Sequence, residues 1–185
     1  MSLTDEEKAA VYDCHFITMK AQLYVCNVDE EGIRHGNPFI DAVKERAAAE
    51  NAEVVCICGR FEAELADIED PEERNAFLEE LNLPEPSLDS LIKAAYRLLG
   101  LRTFFTAGAD ECRAWTFHAG DTAPKAAGII HTDFEKGFIK AEVYTCNDIF
   151  QYKTEAKIKE AGKYRVEGRE YVVQDGDVMF FKFNL

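Results

Sequence analysis

Gln22-Leu23-Tyr24-Val25-Cys26-Asn27-Val28-Asp29-Glu30-Glu31-Gly32 and Glu53-Val54-Val55-Cys56-Ile57-Cys58-Gly59-Arg60 decide the fold between them. Each is an apolar run of strand length that breaks off into polar or glycine-containing residues. A short run that is apolar at every position predicts a strand buried on both faces, as in a parallel sheet. Between the two runs, Asn37-Pro38 predicts a helix start with Pro38 near its first position. Phe39, Ile40, Val43 and Ala47 then carry helical spacing to a stop at Asn51. Strand, helix and strand in so short a stretch predict a right-handed parallel crossover.

Working outward, Thr4-Asp5-Glu6-Glu7 is a capping box that predicts a helix to about Thr18. Asn27 to Gly32 reads as a polar loop. Residues 60–67, 71–81 and 87–99 read as helices punctuated by Pro71, Pro84 and Pro86. At Gly100 the texture changes. Thr103–Thr106 and Arg113–Phe117 predict a hairpin around Ala107-Gly108-Ala109-Asp110. Thr122 caps a short helix, and strands are expected at 138–143, 163–166, 171–173 and 178–183. Gly168 and Asp175-Gly176-Asp177 supply turns. The expected organisation is an α/β segment over residues 4–100 followed by an α+β module, strands gripping one helix, over residues 101–185.

Charge divides at the same place. Residues 1–100 hold 9 Lys and Arg against 22 Asp and Glu, a net −13; residues 101–185 hold 12 against 13, a net −1. The first segment repels phosphate-rich partners at long range and the second does not. No apolar run approaches the roughly 18 residues of a membrane span, and the acidic N-terminus has no signal-peptide core. Cytoplasm is the expected location, with no membrane partner. The six cysteines form no CxxC pair and sit largely in apolar runs, so they read as reduced, buried thiols. Cys56 and Cys58 alternate onto one strand face, but nothing completes a metal site, and no metal is expected. Trp115 reads as core and His131 as a surface or interface residue.

The motifs carry a resemblance. Asn27-Val28-Asp29-Glu30 follows the first strand and Cys58-Gly59-Arg60 the second. Further on come Ile130-His131-Thr132-Asp133-Phe134-Glu135-Lys136-Gly137-Phe138-Ile139-Lys140-Ala141-Glu142 and Tyr171-Val172-Val173-Gln174-Asp175-Gly176-Asp177-Val178. In this order they resemble the YchF family, also called Obg-like ATPases, from about residue 20 to the end. The resemblance implies the C-terminal remainder of a P-loop G domain over residues 4–100, and a β-grasp TGS domain over residues 101–185. It implies binding of ATP, with magnesium in the full-length protein, and association with the ribosome or RNA through the TGS domain. It also implies that the N-terminal half of the G domain is the partner of the first segment.

The base-reading motif of G proteins usually ends in Asp, which accepts from guanine N1–H and the N2 amine. The resembled family carries Glu there, and Glu30 matches it. Adenine offers only N6 as a donor and presents N1 as an acceptor. On this resemblance Asn27, Val28, Glu30, Cys58 and Gly59 are the base-binding candidates. The second base motif departs from the family's Ser-Ala-Lys, which puts any contact through a Ser hydroxyl in doubt. Lys136, Lys140, Lys153, Lys157, Lys159 and Lys163 are the candidates for RNA or ribosome contact, the last four read as lying along one short helical stretch.

No G-x-x-x-x-G-K-[ST] occurs: the one Gly-Lys pair, Gly162-Lys163, is followed by Tyr164 and preceded at five residues by Lys157. Asp29-Glu30-Glu31-Gly32 matches the magnesium-side D-x-x-G, but it overlaps the base motif and reads as chance. No catalytic residue is therefore expected in this chain. The alternative reading is a free-standing TGS-type module that binds RNA or protein and has no nucleotide role. An intact enzyme of unrelated chemistry is a third, supported by no nucleophile arrangement.

Overall fold

Thr4 opens the chain's first helix with a reciprocal cap: its hydroxyl accepts from the Glu7 N–H, and the Glu7 carboxylate accepts from the Thr4 N–H at 2.8 Å. The computed structural model describes residues 3–80, 82–108 and 111–184. Helix α1 spans only Asp5–Ala10, well short of Thr18. Two 3-10 turns, Tyr12–Cys14 and Ile17–Met19, replace its expected continuation. Neither turn buries a residue, so no packed face sustains helix there.

The chain divides into two compact units, Met1–Leu99 and Gly100–Leu185. In the first, β1 (Leu23–Asn27) and β2 (Glu53–Ile57) pair in parallel, with Asn27 opposite Ile57. Helix α3 (Pro38–Glu50) connects them. The Asn37 side-chain oxygen accepts from the Phe39 and Ile40 N–H groups at 3.0 and 2.9 Å, Pro38 takes the first position, and Asn51 ends the helix in the left-handed region. Burial on both faces of β1 is not observed: no residue of β1 is fully buried, and Val25 is 45% exposed. The expected polar loop after β1 is also corrected. It contains α2 (Glu30–His35), started by the Asp29 carboxylate, which accepts from the Gly32 N–H at 2.8 Å. Helices α4 (Gly59–Ala66), α5 (Pro71–Glu80) and α6 (Ser87–Leu98) complete the unit. Cys58, Phe61, Leu65 and Leu78 form one core cluster of the unit, and Phe61 stacks on Phe77 at 4.8 Å.

In the second unit, β3 (Leu101–Ala107) and β4 (Cys112–His118) form the expected antiparallel hairpin. Ala109 and Asp110 of its turn lie outside the described residues. With β5 (Phe138–Thr145), β6 (Arg165–Glu167) and β7 (Asp177–Phe183), the described strands lie in the order β4-β3-β7-β5-β6, with β3 and β7 parallel and the other pairs antiparallel. One face packs on α7 (Ala123–Ile130), whose Ala123, Ala126 and Ala127 are fully buried against Phe104, Phe117, Val143, Met179 and Phe181. Short side chains let the helix approach the aromatics closely. Helices α8 (Thr132–Lys136), α9 (Cys146–Tyr152) and α10 (Glu155–Glu160) follow the chain's other bends.

Several details differ from expectation. Thr122 makes no side-chain cap; the start of α7 is held by the Ala123 N–H on the Tyr171 carbonyl at 2.8 Å and by a bridge between Thr122 and Val172. Residues 171–173 make that bridge and not a strand. Asp177, fully buried, draws the segment into a turn by accepting from the Gln174 N–H at 2.9 Å and the Tyr171 hydroxyl at 2.7 Å. Trp115 is half-buried rather than central: its indole N–H donates to Thr106 Oγ1 at 2.9 Å, with Arg113 5.8 Å from its ring. Cys58 is the one cysteine found buried, while Cys14 and Cys112 are exposed. Cys58 also lies beyond β2, at the start of α4, and so does not share a strand face with Cys56. Among the described residues no helix is long and apolar enough to cross a membrane.

Candidate functional site

Asn27 is the last residue of β1, and its side-chain oxygen accepts from the Gly59 N–H at 3.3 Å. One residue on, the Val28 N–H donates to the Ile57 carbonyl at 2.8 Å, which continues the parallel ladder past the strand end. The first bond ties the two sequence motifs, and the second holds the strands that carry them in register. With its oxygen so engaged, the Asn27 amide keeps its two N–H donors for a ligand. Asn27, Val28 and Asp29 line a cavity of about 400 Å³ with Tyr24, Phe39 and Ile40.

Glu30 sits apart from that cavity. It is the first residue of α2 and lines a smaller recess of about 60 Å³ with Arg34, Phe61 and Glu64. Arg60 lies on the first turn of α4 with its side chain largely exposed. Its guanidinium bonds Glu64 at 3.0 Å, and that carboxylate, with the Glu30 charge nearby, raises its pKa. Cys58 precedes α4 without capping it and is buried, so its thiol adds no contact where the resembled family carries Ser. Sequence reasoning passed over Arg60 and Asp29. The four-residue spacing of Arg60 and Glu64 and the Asp-x-x-Gly spacing were the available signals.

That Asp-x-x-Gly spacing has a local cause. Asp29 caps α2 through the Gly32 N–H, and a Cβ at Gly32 would stand 3.0 Å from both Asp29 Oδ1 and Val28 Cβ. Gly59 is under no such constraint, since a Cβ there would meet Asn27 Oδ1 at an ordinary 3.6 Å.

The lysine candidates do not form one helical stripe. Lys153 ends α9 in the left-handed region, Thr154 restarts the chain as the cap of α10, and Lys163 follows the α10 stop at Gly162. Of Lys153, Lys157, Lys159 and Lys163, only Lys157 and Lys159 are helical. Lys159 is already engaged, 4.0 Å from Glu155 and 4.3 Å above the Tyr164 ring. Lys136 closes α8, and Lys140 lies opposite Lys182 on β7. His131 stays exposed and caps α8, its Nδ1 accepting from the Asp133 N–H at 3.2 Å. Among the described residues no three His, Cys, Asp or Glu side chains are grouped to hold a metal.

The family model YchF-GTPase_C, described as a protein of unknown function (DUF933), matches residues 101–184. The ribosome-binding ATPase YchF of Pasteurella multocida is 50% identical over 185 residues, covering all of this chain and 50% of that protein. Its namesake from Bacillus subtilis is 51% identical over 187 residues, covering all of this chain and 51% of its own. Obg-like ATPase 1 of Gallus gallus is 47% identical over 172 residues, 91% of this chain and 43% of its own. The solved structure of the Schizosaccharomyces pombe YchF GTPase superposes with a TM-score of 0.84 at 33% identity, over 98% of this chain and 48% of that one. The chain spans about half the length of the curated relatives it matches.

The contrast between the two glycines is measurable. Gly32→Ala is expected to lose about 1 kcal/mol despite the helix preference of alanine, because Val28 and Asp29 must yield. Gly59→Ala is expected to stay within about 0.5 kcal/mol of the parent. Urea unfolding followed by circular dichroism checks both, and a Gly32→Ala protein as stable as the parent would show that the strand-end loop yields freely.

Proposed function

The chain matches the C-terminal half of the YchF-type, Obg-like ATPases along its whole length, and from that premise we propose that it supplies base recognition and a TGS-type binding module to an ATP-driven, ribosome-associated machine. In this reading residues 4–100 are the C-terminal part of a G domain, residues 101–185 are a TGS domain of β-grasp type, and the protein works in the cytoplasm. The observation that carries the reading is the bond from the Gly59 N–H to the Asn27 side chain, which joins the two base-side motifs at one sheet edge.

The residues present fit the base end of ATP. The free N–H donors of Asn27 suit the acceptor nitrogens of a purine. Val28 offers an apolar edge, and the Glu30 carboxylate, which lines the neighbouring recess, turns toward the base to accept from the adenine N6 amine where an Asp would pair with guanine. Arg60, paired with Glu64, adds positive charge on the Glu30 side of the site. When bound, the triphosphate supplies the bond that is cleaved. This chain's sequence has no P-loop for the phosphates, so phosphates and magnesium are assigned to the N-terminal half of the intact protein.

Contact with the ribosome or RNA falls to the second unit, whose net charge of −1 contrasts with −13 in the first. Lys136, Lys140, Lys153, Lys157 and Lys163 are its cationic candidates, with Lys159 least available because Glu155 and Tyr164 already hold it. Phosphate contacts of this kind weaken steeply with salt.

Three outcomes are expected. The chain alone releases no phosphate from ATP with magnesium, and turnover that follows the protein through repurification would refute its non-catalytic role. In a chimera carrying a relative's N-terminal half, Glu30→Asp moves the ratio of ATP to GTP affinity toward GTP by about tenfold, on the scale of one paired base contact; calorimetry showing an unchanged ratio would remove Glu30 as the selector. Charge reversal of Lys157 and Lys163 together reduces ribosome co-sedimentation and flattens its salt dependence, whereas an unaltered profile would move the contact elsewhere.

A further inference from the structure

The sheet of the second unit has a second face. Along β5 and β7, Ala141, Val143, Met179 and Phe181 point to the α7 core, while the alternate residues Glu142, Tyr144, Val178 and Phe180 point the other way. Part of that outer face is covered: Tyr144, Ile158 and Val178 form a small buried cluster with Ile149 and Tyr164 packed on it. Beside the cluster lies a cavity of about 480 Å³ lined by Glu142, Tyr144, Glu155, Lys159, Tyr164 and Phe180 among others. That volume is within the range of small-ligand sites.

The walls are chemically paired. Tyr144 and Tyr164 stack with ring centres 5.8 Å apart. The Tyr164 hydroxyl donates to Glu142 at 2.9 Å, and the Tyr144 hydroxyl to Glu155 at 3.3 Å. Burial, then the Glu155 charge, pushes the Tyr144 phenol up to about 12, and burial with the Glu142 bond raises Tyr164 as well. Both phenols therefore stay donors, and each carboxylate that accepts from one has lone pairs to spare. Phe180 adds an aromatic edge that is 49% exposed.

One cation already occupies this arrangement. The Lys159 ammonium stands 4.3 Å over the Tyr164 ring and 4.0 Å from Glu155. Aromatic faces flanked by carboxylates attract a cation through both the ring quadrupole and charge. A guanidinium suits the same walls better, because its plane stacks on a ring while its fork pairs with a carboxylate. Among the lining residues two carboxylates face one lysine, with Lys182 outside them over the Phe180 ring at 4.2 Å, a balance that disfavours a phosphate.

We propose that this cavity binds an arginine or lysine side chain from a basic segment of a protein partner, which displaces Lys159 from the Tyr164 ring. The assignment does not depend on the nucleotide reading of the first unit.

The test uses the full chain, isotope-labelled for NMR, with the decapeptide (Arg-Gly)5, its (Glu-Gly)5 counterpart and a single-stranded U10 RNA as probes. The arginine peptide is expected to shift the amide signals of Glu142, Tyr144, Lys159 and Tyr164, and the glutamate peptide is not. Lys159→Gln empties the cage and is expected to tighten the arginine peptide by roughly fivefold, while Glu142→Gln, which keeps an acceptor for Tyr164, weakens it by a similar factor. Glu170→Gln, an exposed carboxylate not among the cavity's lining residues, serves as the control for general charge attraction. The proposal fails if Lys159→Gln leaves the peptide's affinity unchanged or lower. It fails equally if Glu170→Gln weakens binding as much as Glu142→Gln does, if neither peptide moves these signals, or if U10 moves them and loses affinity in Lys159→Gln.

Discussion

Because β1 and β2 run parallel with Asn27 opposite Ile57, both strands end at the same edge, and the two loops that leave it have to meet. The Val28 N–H extends the ladder by one residue, and the Gly59 N–H then reaches the Asn27 side chain. A slip of one residue would turn Asn27 to the other face of the sheet and bring Cys26 or Val28 to its place. The same register sets where Asp29 lies, and so where α2 begins and where Glu30 stands on its first turn. The meeting of Asn27 with Gly59 follows from that one alignment.

The second unit depends on a different restriction, the distance between a helix and a sheet. Ala123, Ala126 and Ala127 leave α7 little bulk along most of its inner face, so Phe104, Phe117 and Phe181 can meet it directly. Phe104 lies edge-on to both of the others at 5.8 and 5.9 Å. Gly137 is fitted as closely, since a Cβ there would collide with the Asn184 carbonyl. This tight inner face leaves the outer one to be covered by α9 and α10, and their cover ends at the Tyr144 and Tyr164 pair.

Elements with local causes were legible in the sequence. Asn37-Pro38 and Asn51 bounded α3, because a side-chain cap, a fixed φ and a left-handed stop act within a few residues. The paired parallel strands were legible from their apolar runs. What those runs could not tell was how much of β1 would be covered, since composition records what a strand tolerates and not what lies on it. Helix α1 was overread because a good cap starts a helix without sustaining one. The lysine stripe was overread because spacing of four residues means a shared face only where the helix is unbroken, and Lys153 and Gly162 break it. The meeting of Asn27 with Gly59 was implied by the resemblance, whereas the role of Asp29 as the α2 cap emerged only with the backbone in place.

Trp115 carries a practical consequence. It is the sole tryptophan of the chain and belongs to the second unit, half-buried between the sheet and solvent with its indole N–H on Thr106 and Arg113 beside the ring. Its fluorescence therefore reports on residues 100–185 alone. Losing the Thr106 bond and the partial shelter of the sheet would shift its emission to longer wavelength when that unit melts. The tyrosines are divided between the two halves, so excitation at the red edge of the absorption band, where tyrosine is silent, gives one half of the molecule an optical signature of its own. The difference between that trace and one from the helix-rich first unit would reveal whether the two lose structure together.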